Sequence, residues 1–337
     1  LKQGIIYLIC YALPLPVILV SLFIGSTGQA DVGAALGLAY KKIAMSSLSL
    51  LEEDSWALIK NIICNVRLPR VLTTFLVGAA LSVSGSVLQG IFRNPLVDSY
   101  VLGISSGAAF GAALAMTFAF VPVSLAAFAG GILAVLLAYL VARSGSNATI
   151  ITIVLSGMVI SGMFSAGLAI VQYISNPYKL QAIVQWTMGN LHAASWEELK
   201  RLYVPVILGL VVVFIYRWRV NVLSLGDDAA KAAGVNPGLD KWILIGCATL
   251  LTAITVASVG IISFYGLFLP HIVRMMLGAD NRKAIPASIF LGGTFLLVID
   301  DFSRSLFAFE VPIGIFTMLL GGPFFIYLMR KNKLNWH

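Results

Sequence analysis

The chain has 337 residues, 59% of them hydrophobic and only 11% charged, with a formal net charge of +8. Soluble domains carry roughly 25% charged residues, so this composition excludes an ordinary soluble domain. Apolar runs of about 20 residues recur along the whole chain, each long enough to cross a bilayer as a helix, and the ten-residue alternation of a membrane β-barrel is absent.

The expected fold class is all-α: a polytopic membrane protein of about ten helices, in a single transmembrane domain over 1–337. The first apolar run, Ile5 to Ile24, exceeds the roughly 7–15-residue core of a signal peptide and is followed by no clear small-residue cleavage site. It reads as a span over 5–25. Further spans are expected at 67–90, 100–119, 121–141, 150–174, 202–218, 241–261, 264–277, 286–306 and 313–330. Residues 26–66 and 175–201 become long connections on the outer side, the second with a short helix. Cys10, Cys64 and Cys247 lie far apart and form no Cys-x-x-Cys pair, so neither a disulfide framework nor a metal site is indicated.

Charge sets the orientation. With the N-terminus inside, the inner segments hold 13 of the 22 basic residues and five acids, and the outer segments hold nine of each. The positive-inside rule then puts both termini in the cytoplasm. The net positive charge is a topology signal, and no nucleic-acid partner is expected. Ten spans divide into two halves of five, and halves with an odd helix number must be inverted. "GIFRNPLV" at 90–97 and "GLFLPHIV" at 266–273 are a faint internal echo.

Four segments stand out in chain order. "VRLPRVL" places Arg67 and Arg70 three residues apart at the outer end of the second span, and Arg304 closes the ninth span on the same side. These arginines either anchor to headgroups or present charge to an acidic partner outside. The stretch 85–115 breaks at Arg93-Asn94-Pro95, with Asp98 just beyond. Gly107, Gly111 and Ala115 then recur every four residues, as do Gly157, Ser161, Ser165 and Ala169 in the fifth span. Such stripes either pack helices closely in lipid or line a pore.

The third segment, "LSLGDDAAKAAGVNPG" at 223–238, lies between two apolar runs on the inner side. A serine followed by Asp227 and Asp228 suits a helix start, and Gly234 with Asn236-Pro237 suits its end. The cassette is either a solvated connector or a docking element for a soluble protein. The fourth segment, 260–288, contains a short span interrupted by Gly266 and Pro270, a pattern found near transport pathways. His271 and Arg274 lie one turn apart there, and a lone membrane histidine is mainly a helix-to-helix hydrogen bonder.

Several signatures are missing: a phosphate-binding Gly-x-x-x-x-Gly-Lys-[Ser/Thr] loop, a His-Glu-x-x-His or Gly-x-Ser-x-Gly motif, and buried acids for ion coupling, Asp300 and Asp301 excepted. The chain reads as a passage without its own energy source. An enzyme or an ion-coupled secondary transporter is the rival class.

Five blocks in order, "RLPRVL", "GAALSVSGSVLQGIFRNPLVDSYVLGISSGAA", "LSLGDDAAKAAGV", "GLFLPHIVR" and "VPIGIFTMLLGGPFFIYLMRK", resemble the FecCD-type permeases of bacterial ABC importers for iron chelates, haem and vitamin B12. The likeness runs from Arg67 to the C-terminus. It implies a type II importer in the cytoplasmic (inner) membrane: a homodimer with two ATPase subunits, which bind ATP and Mg, and an extracytoplasmic substrate-binding protein. No cofactor or metal is implied in this chain itself. The resemblance makes 223–238 the ATPase-coupling helices, with Leu225, Gly226, Asp227, Asp228, Ala230, Lys231 and Gly234 as contact positions. It makes Arg67, Arg70 and Arg304 docking charges for the binding protein. Asn94 with Ser146, Asn147 and Thr149 matches a cytoplasmic gate. The fifth and tenth spans, through Gly157, Ser161, Ser165, Ala169, Gly314 and Met318, would line the passage. Two stretches depart from the family pattern: Ser263-Phe264-Tyr265 stands where Gly-Phe-Val is common, and Ser105-Ser106-Gly107 where Ser-Asn-Gly is common. The substrate stays open, because related permeases also carry oxyanions such as molybdate or tungstate.

Overall fold

A computed structural model describes residues 2–25, 37, 50–100, 102–143, 150–307 and 309–331. Among the described residues, all regular secondary structure is helical. In chain order the helices are α1 (Lys2–Ala12), α2 (Pro14–Ser21), α3 (Leu50–Asn61), α4 (Leu68–Phe92), α5 (Ile104–Phe118), α6 (Val123–Arg143) and α7 (Ile150–Ile174). They continue with α8 (Pro177–Thr187), α9 (Trp196–Ser224), α10 (Asp227–Ala232), α11 (Pro237–Val259), α12 (Tyr265–Leu277), α13 (Asn281–Ser305) and α14 (Ile313–Lys331). Among the described residues, six helical segments are long and apolar enough to cross a membrane. Shorter apolar helices occupy Tyr7–Ser21, Ile104–Phe118, Tyr265–Leu277 and Ile313–Tyr327.

Local chemistry explains the helix starts. Asn176, Ser195 and Asn236 each accept a backbone N–H three residues on, at the heads of α8, α9 and α11. Pro177 and Pro237 follow two of these caps at positions where a missing N–H costs nothing. Asp280 caps α13 by accepting from the Arg282 N–H. The guanidinium of Arg282, with help from Asn221, holds the Asp280 carboxyl well below the usual range, so the cap stays charged.

Several boundaries differ from the sequence expectation: the span expected over 202–218 is a helix over Trp196–Ser224, and the largest shift is in the second span. The second span does not start at 67. A six-residue π-helical turn, Ile62–Arg67, joins α3 to α4, so Glu53–Phe92 is one helical segment. Its first turns carry Glu53, Asp54 and Lys60, which lower the hydropathy and made them resemble a connection.

Helix α4 is the hub. Of its most apolar stretch, 83% is buried, against 17% for α7. Around α4 pack α9, α11, α12 and α13, while α5, α6 and α7 form a second group joined to it through α11. Small residues set the closest crossings: Gly78 of α4 abuts the Gly292 backbone of α13, Gly85 that of Gly266 in α12, and Gly107 of α5 that of Gly130 in α6. The Gly107–Gly111 stripe is therefore helix packing. Polar groups add inter-helix bonds: Ser84 Oγ donates to Ala248 O at 3.0 Å, Ser86 and Ser288 hydroxyls meet at 3.1 Å, and Gln89 Nε2 donates to Gly266 O and Leu267 O.

The two octapeptides of the internal echo do not occupy equivalent places. Residues 90–97 end α4 and leave it, whereas 266–273 lie inside α12. A closer parallel joins α4–α5 and α11–α12. In each pair a long helix breaks, positive-φ residues turn the chain (Arg93 and Gly103; Gly260 and Phe264), and a short helix follows.

Candidate functional site

The cassette at 223–238 is a compact helical cap on the end of α9. Helix α9 stops at Ser224, and Gly226, at φ 117°, turns the chain into α10. That conformation favours glycine. Asp227 and Asp228 occupy the first turn of α10 and Lys231 the last, each complementing the helix dipole. The helix ends in a Schellman motif: the Val235 N–H donates to Ala230 O at 2.9 Å, and the Gly234 N–H to Lys231 O at 3.0 Å. Gly234 has φ 76°. Ala230 and Val235 are buried together beneath the turn. Asn236 and Pro237 then start α11. The sequence expectation of helix, turn and re-entry matches this geometry, but the serine is not its N-cap: Ser224 ends α9 and donates to Asn221 O, and Gly226 heads α10 without a side-chain cap.

The outer surface of the cap is small and mixed. Leu225 is 74% exposed, Leu239 58%, and Asp228 extends freely into solvent. Ala229, Ala232, Ala233 and Gly234 leave a low profile between them. Asp227 is tied down, its carboxylate 2.5 Å from Lys241 Nζ. Ala230, expected as a contact position, faces the core, so its role is to seat α10.

Residues not singled out in the sequence brace this cap. Arg219 of α9 pairs at 2.7 Å with Asp240 of α11, which is fully buried. Asn221 donates to Asp280 at 2.6 Å and accepts from the Asn281 N–H at 2.7 Å, joining α9 to the head of α13. Tyr139 of α6 stacks edge-on against Trp242 of α11, with centroids 4.2 Å apart. The end of α9 is therefore held by α11 and α13, and α6 in turn packs on α11. Arg219 and Asp240 were visible in the sequence only as topology charges, because their pairing spans 21 residues and two helices.

The connection 93–103 lies next to the cap. A Cβ built on Gly226 would stand 3.4 Å from Arg93 Nη1. Asn94 is exposed, and its side-chain oxygen accepts the Leu96 N–H, shaping the turn. Ser146, Asn147 and Thr149, the other expected gate residues, lie outside the described residues. Beyond Asn94, a cavity of about 320 Å³ is walled by Leu96, Tyr100, Phe264, Leu267 and Met318, with Asp98 and Ser263 as its polar groups. Asp98 accepts the Ser99 hydroxyl at 2.9 Å and the Tyr100 N–H at 2.7 Å. Met318, expected on the passage, lines this cavity. Ser263 and Phe264, from the departure noted in the sequence, line it too, and Tyr265 turns into the core to donate to Gly292 O.

The other expected passage residues separate. Gly157 and Ser161 pack against Gly103 at the start of α5, whereas Ser165 and Ala169 are exposed. A four-residue repeat advances about 40° per step on an α-helix, so over three steps the stripe turns by a third of the circumference. Gly314 faces no open space. A Cβ there would lie 2.2 Å from Met188 O and 2.8 Å from Ile261 O, which makes it a close-packing glycine. The exposed side of α7 carries Leu155, Met158, Val159, Met163 and Ile170, and that of α14 carries Met318, Leu319 and Leu320.

At the opposite end of α4, the three arginines enter an internal network. Arg70 grips Asp300 of α13 through Nε and Nη2 at 3.1 and 2.8 Å and reaches Glu310 through Nη1 at 2.8 Å. Glu310 also lies 3.0 Å from His192 Nδ1. Arg304 pairs with Asp301 and donates to Ser21 O at 2.9 Å; Ser21 in turn donates to Asp301 at 2.6 Å. Arg67 donates to Leu22 O at 3.1 Å. The structure thus brings the predicted arginines together but buries their guanidinium groups against carboxylates and carbonyls. Glu310 and His192 were missed, since no local pattern links residues 70, 192 and 310. Among the described residues no three His, Cys, Asp or Glu side chains come together as a metal site.

Comparison with known proteins fits this geometry. The model of the FecCD transport family matches residues 13–331. The molybdate import system permease protein MolB of Haemophilus influenzae is 40% identical over 284 residues, covering 82% of this chain and 84% of that protein. The hemin transport system permease protein HmuU of Yersinia pestis is 36% identical over 329 residues, covering 94% and 95%. A solved chain, described as a metal-chelate type ABC transporter in an inward-facing conformation, superposes with a TM-score of 0.83 at 34% identity over 97% of this chain and 99% of that one. Helical spans, cassette and buried ion network together with these matches place the chain in the FecCD transport family of ABC transporter permeases.

Proposed function

We propose that the chain is the passage subunit of an ATP-driven importer for a metal chelate: an iron–siderophore, haem or cobalamin. Two copies form the passage, two ATPase subunits bind the cytoplasmic side where both termini lie, and a binding protein delivers the chelate outside. ATP and Mg belong to the ATPase, and this chain has no phosphate loop. The observation that carries the reading is the cap at 223–238: an exposed helical element with a low-profile surface, closed by two positive-φ glycines and braced by α11 and α13. A solvated connector has no need of such bracing. The exposed apolar sides of α7 and α14 suit a second copy and lipid.

A second reading, import of an oxyanion on the same architecture, is supported by the 40% identity to the molybdate permease. The mainly apolar wall of the cavity suits an organic chelate better than a hydrated oxyanion, which favours the first. The assembly is tested by purifying the chain with its ATPase in mild detergent. Light scattering is expected to give two copies of each subunit. A monomeric chain that never retains the ATPase would contradict the reading.

A further inference from the structure

We propose that the cavity between the 93–103 connection and the head of α12 binds an alkylammonium group, with Asp98 as its counter-ion, and that this group is an arm of the transported chelate. The second part rests on the import function proposed above; the first stands on the cavity alone. Asp98 and Ser263 are only 8% and 9% exposed, yet both line the cavity. One carboxylate oxygen of Asp98 accepts from the Ser99 hydroxyl and the Tyr100 N–H. Among the described residues, its other oxygen and the Ser263 hydroxyl have no hydrogen-bond partner, and no cation pairs with Asp98. A buried carboxylate in that position is costly until a partner arrives.

The rest of the wall selects the ligand. A hard metal ion needs a shell of oxygen ligands, and the free side-chain oxygens here are those of Asp98 and Ser263. An anionic edge would meet Asp98 as a like charge. An uncharged apolar group would leave the carboxylate unpaired. An alkylammonium satisfies each part of the cavity. Its N–H groups serve Asp98 and Ser263 in charge-assisted bonds, its carbon stem suits Leu96, Leu267 and Met318, and the aromatic side chains of Tyr100 and Phe264 favour a cation beside them. Phe264 holds φ 62°, an uncommon conformation for a bulky residue, and such strain tends to persist at ligand sites. Gly321 of α14 makes room for it, since a Cβ there would lie 2.7 Å from Phe264 Cβ. The head of α12 adds a positive partial charge of about half a unit, so the pairing is weak, as a passage that must release its cargo requires. At about 320 Å³ the cavity is at the low end of ligand pockets, sized for one arm of a chelate rather than the whole.

Ligand-detected saturation-transfer NMR on the purified full chain in nanodiscs tests the site. The probe is n-butylammonium, the control is butyrate, and empty nanodiscs set the background. The native chain should transfer several-fold more strongly to n-butylammonium than to butyrate. Asp98→Asn should lower the n-butylammonium signal about threefold to tenfold, because asparagine keeps an oxygen for Ser99 and Tyr100 and replaces only the free one. Tyr100→Leu, which leaves the carboxylate in place, should lower it as well. Equal transfer to the two probes, or a signal that survives both substitutions, overturns the site. Uptake by the reconstituted importer then tests the source of the group. The native importer should prefer an iron–trihydroxamate with a terminal ammonium several-fold over the same chelate N-acetylated, and Asp98→Asn should erase that preference. No preference in the native importer overturns the cargo role even where n-butylammonium binds. Failure of ATP-dependent uptake for every chelate, with n-butylammonium still bound, would count instead against the import function.

Discussion

Gly85→Ala is expected to destabilise the chain more than any other single-methyl change in α4. A Cβ at this position would lie 1.8 Å from Gly266 O, 2.6 Å from the same carbonyl carbon and 2.8 Å from its Cα. All three obstacles are backbone, so no side chain can rotate aside. Helices α4 and α12 would have to separate, and the Gln89 bonds to Gly266 O and Leu267 O would lengthen with them. Overpacking of this kind costs ~1–3 kcal/mol, and each lost inter-helix hydrogen bond adds ~0.6 kcal/mol. The melting temperature of the detergent-purified protein should fall by several degrees. Gly246→Ala in α11 is the control: nothing lies within 4 Å of its Cβ, and a glycine-to-alanine change inside a helix gains up to ~1 kcal/mol. Equal melting temperatures for Gly85→Ala and the native chain would refute the close crossing.

Reversing both acids of the cap, Asp227→Lys with Asp228→Lys, is expected to lower ATP-dependent transport at least about tenfold while leaving membrane insertion intact. Two effects act together. Lysines at the first turn oppose the helix dipole, by ~0.3–1 kcal/mol each, and the new ammonium at the first of these positions would repel Lys241 where Asp227 now binds it. The surface proposed to meet the ATPase also changes by four charges, two for each acid replaced by a base. The variant should still run as a well-dispersed protein in detergent, because α10 is six residues long and its only buried side chain, Ala230, is untouched. Co-purification with the ATPase separates the outcomes. Normal ATPase recovery with normal transport would return the cassette to a plain connector.

Much of this architecture is legible in the sequence because hydropathy and glycine placement are local signals. The spans follow from apolar length. The cap at 223–238 follows from the acid pair Asp227-Asp228 and from Gly234 before Asn236-Pro237, and Gly234 does adopt positive φ, whereas the expected serine N-cap is replaced by Gly226. What is illegible is non-local or masked by composition. The early start of the second helical segment hides beneath Glu53, Asp54 and Lys60. The partners of Arg70 lie 230 and 240 residues away, so no periodicity pairs them, and the arginines look available for docking when they are already bonded. The fifth-span stripe misleads because a four-residue repeat drifts around the helix. Gly314 misleads in another way: a glycine that lets backbones touch has the same sequence signature as one that leaves space.

The most direct test of the account is uptake by proteoliposomes that hold this chain, its ATPase and its binding protein, with ATP on the ATPase side. Labelled iron–siderophore, haem, cobalamin and molybdate would be offered in parallel. The account predicts ATP-dependent accumulation of one metal chelate and none when the ATPase is omitted. Accumulation of molybdate alone would select the oxyanion reading, and gradient-driven uptake by the chain without its ATPase would contradict the account.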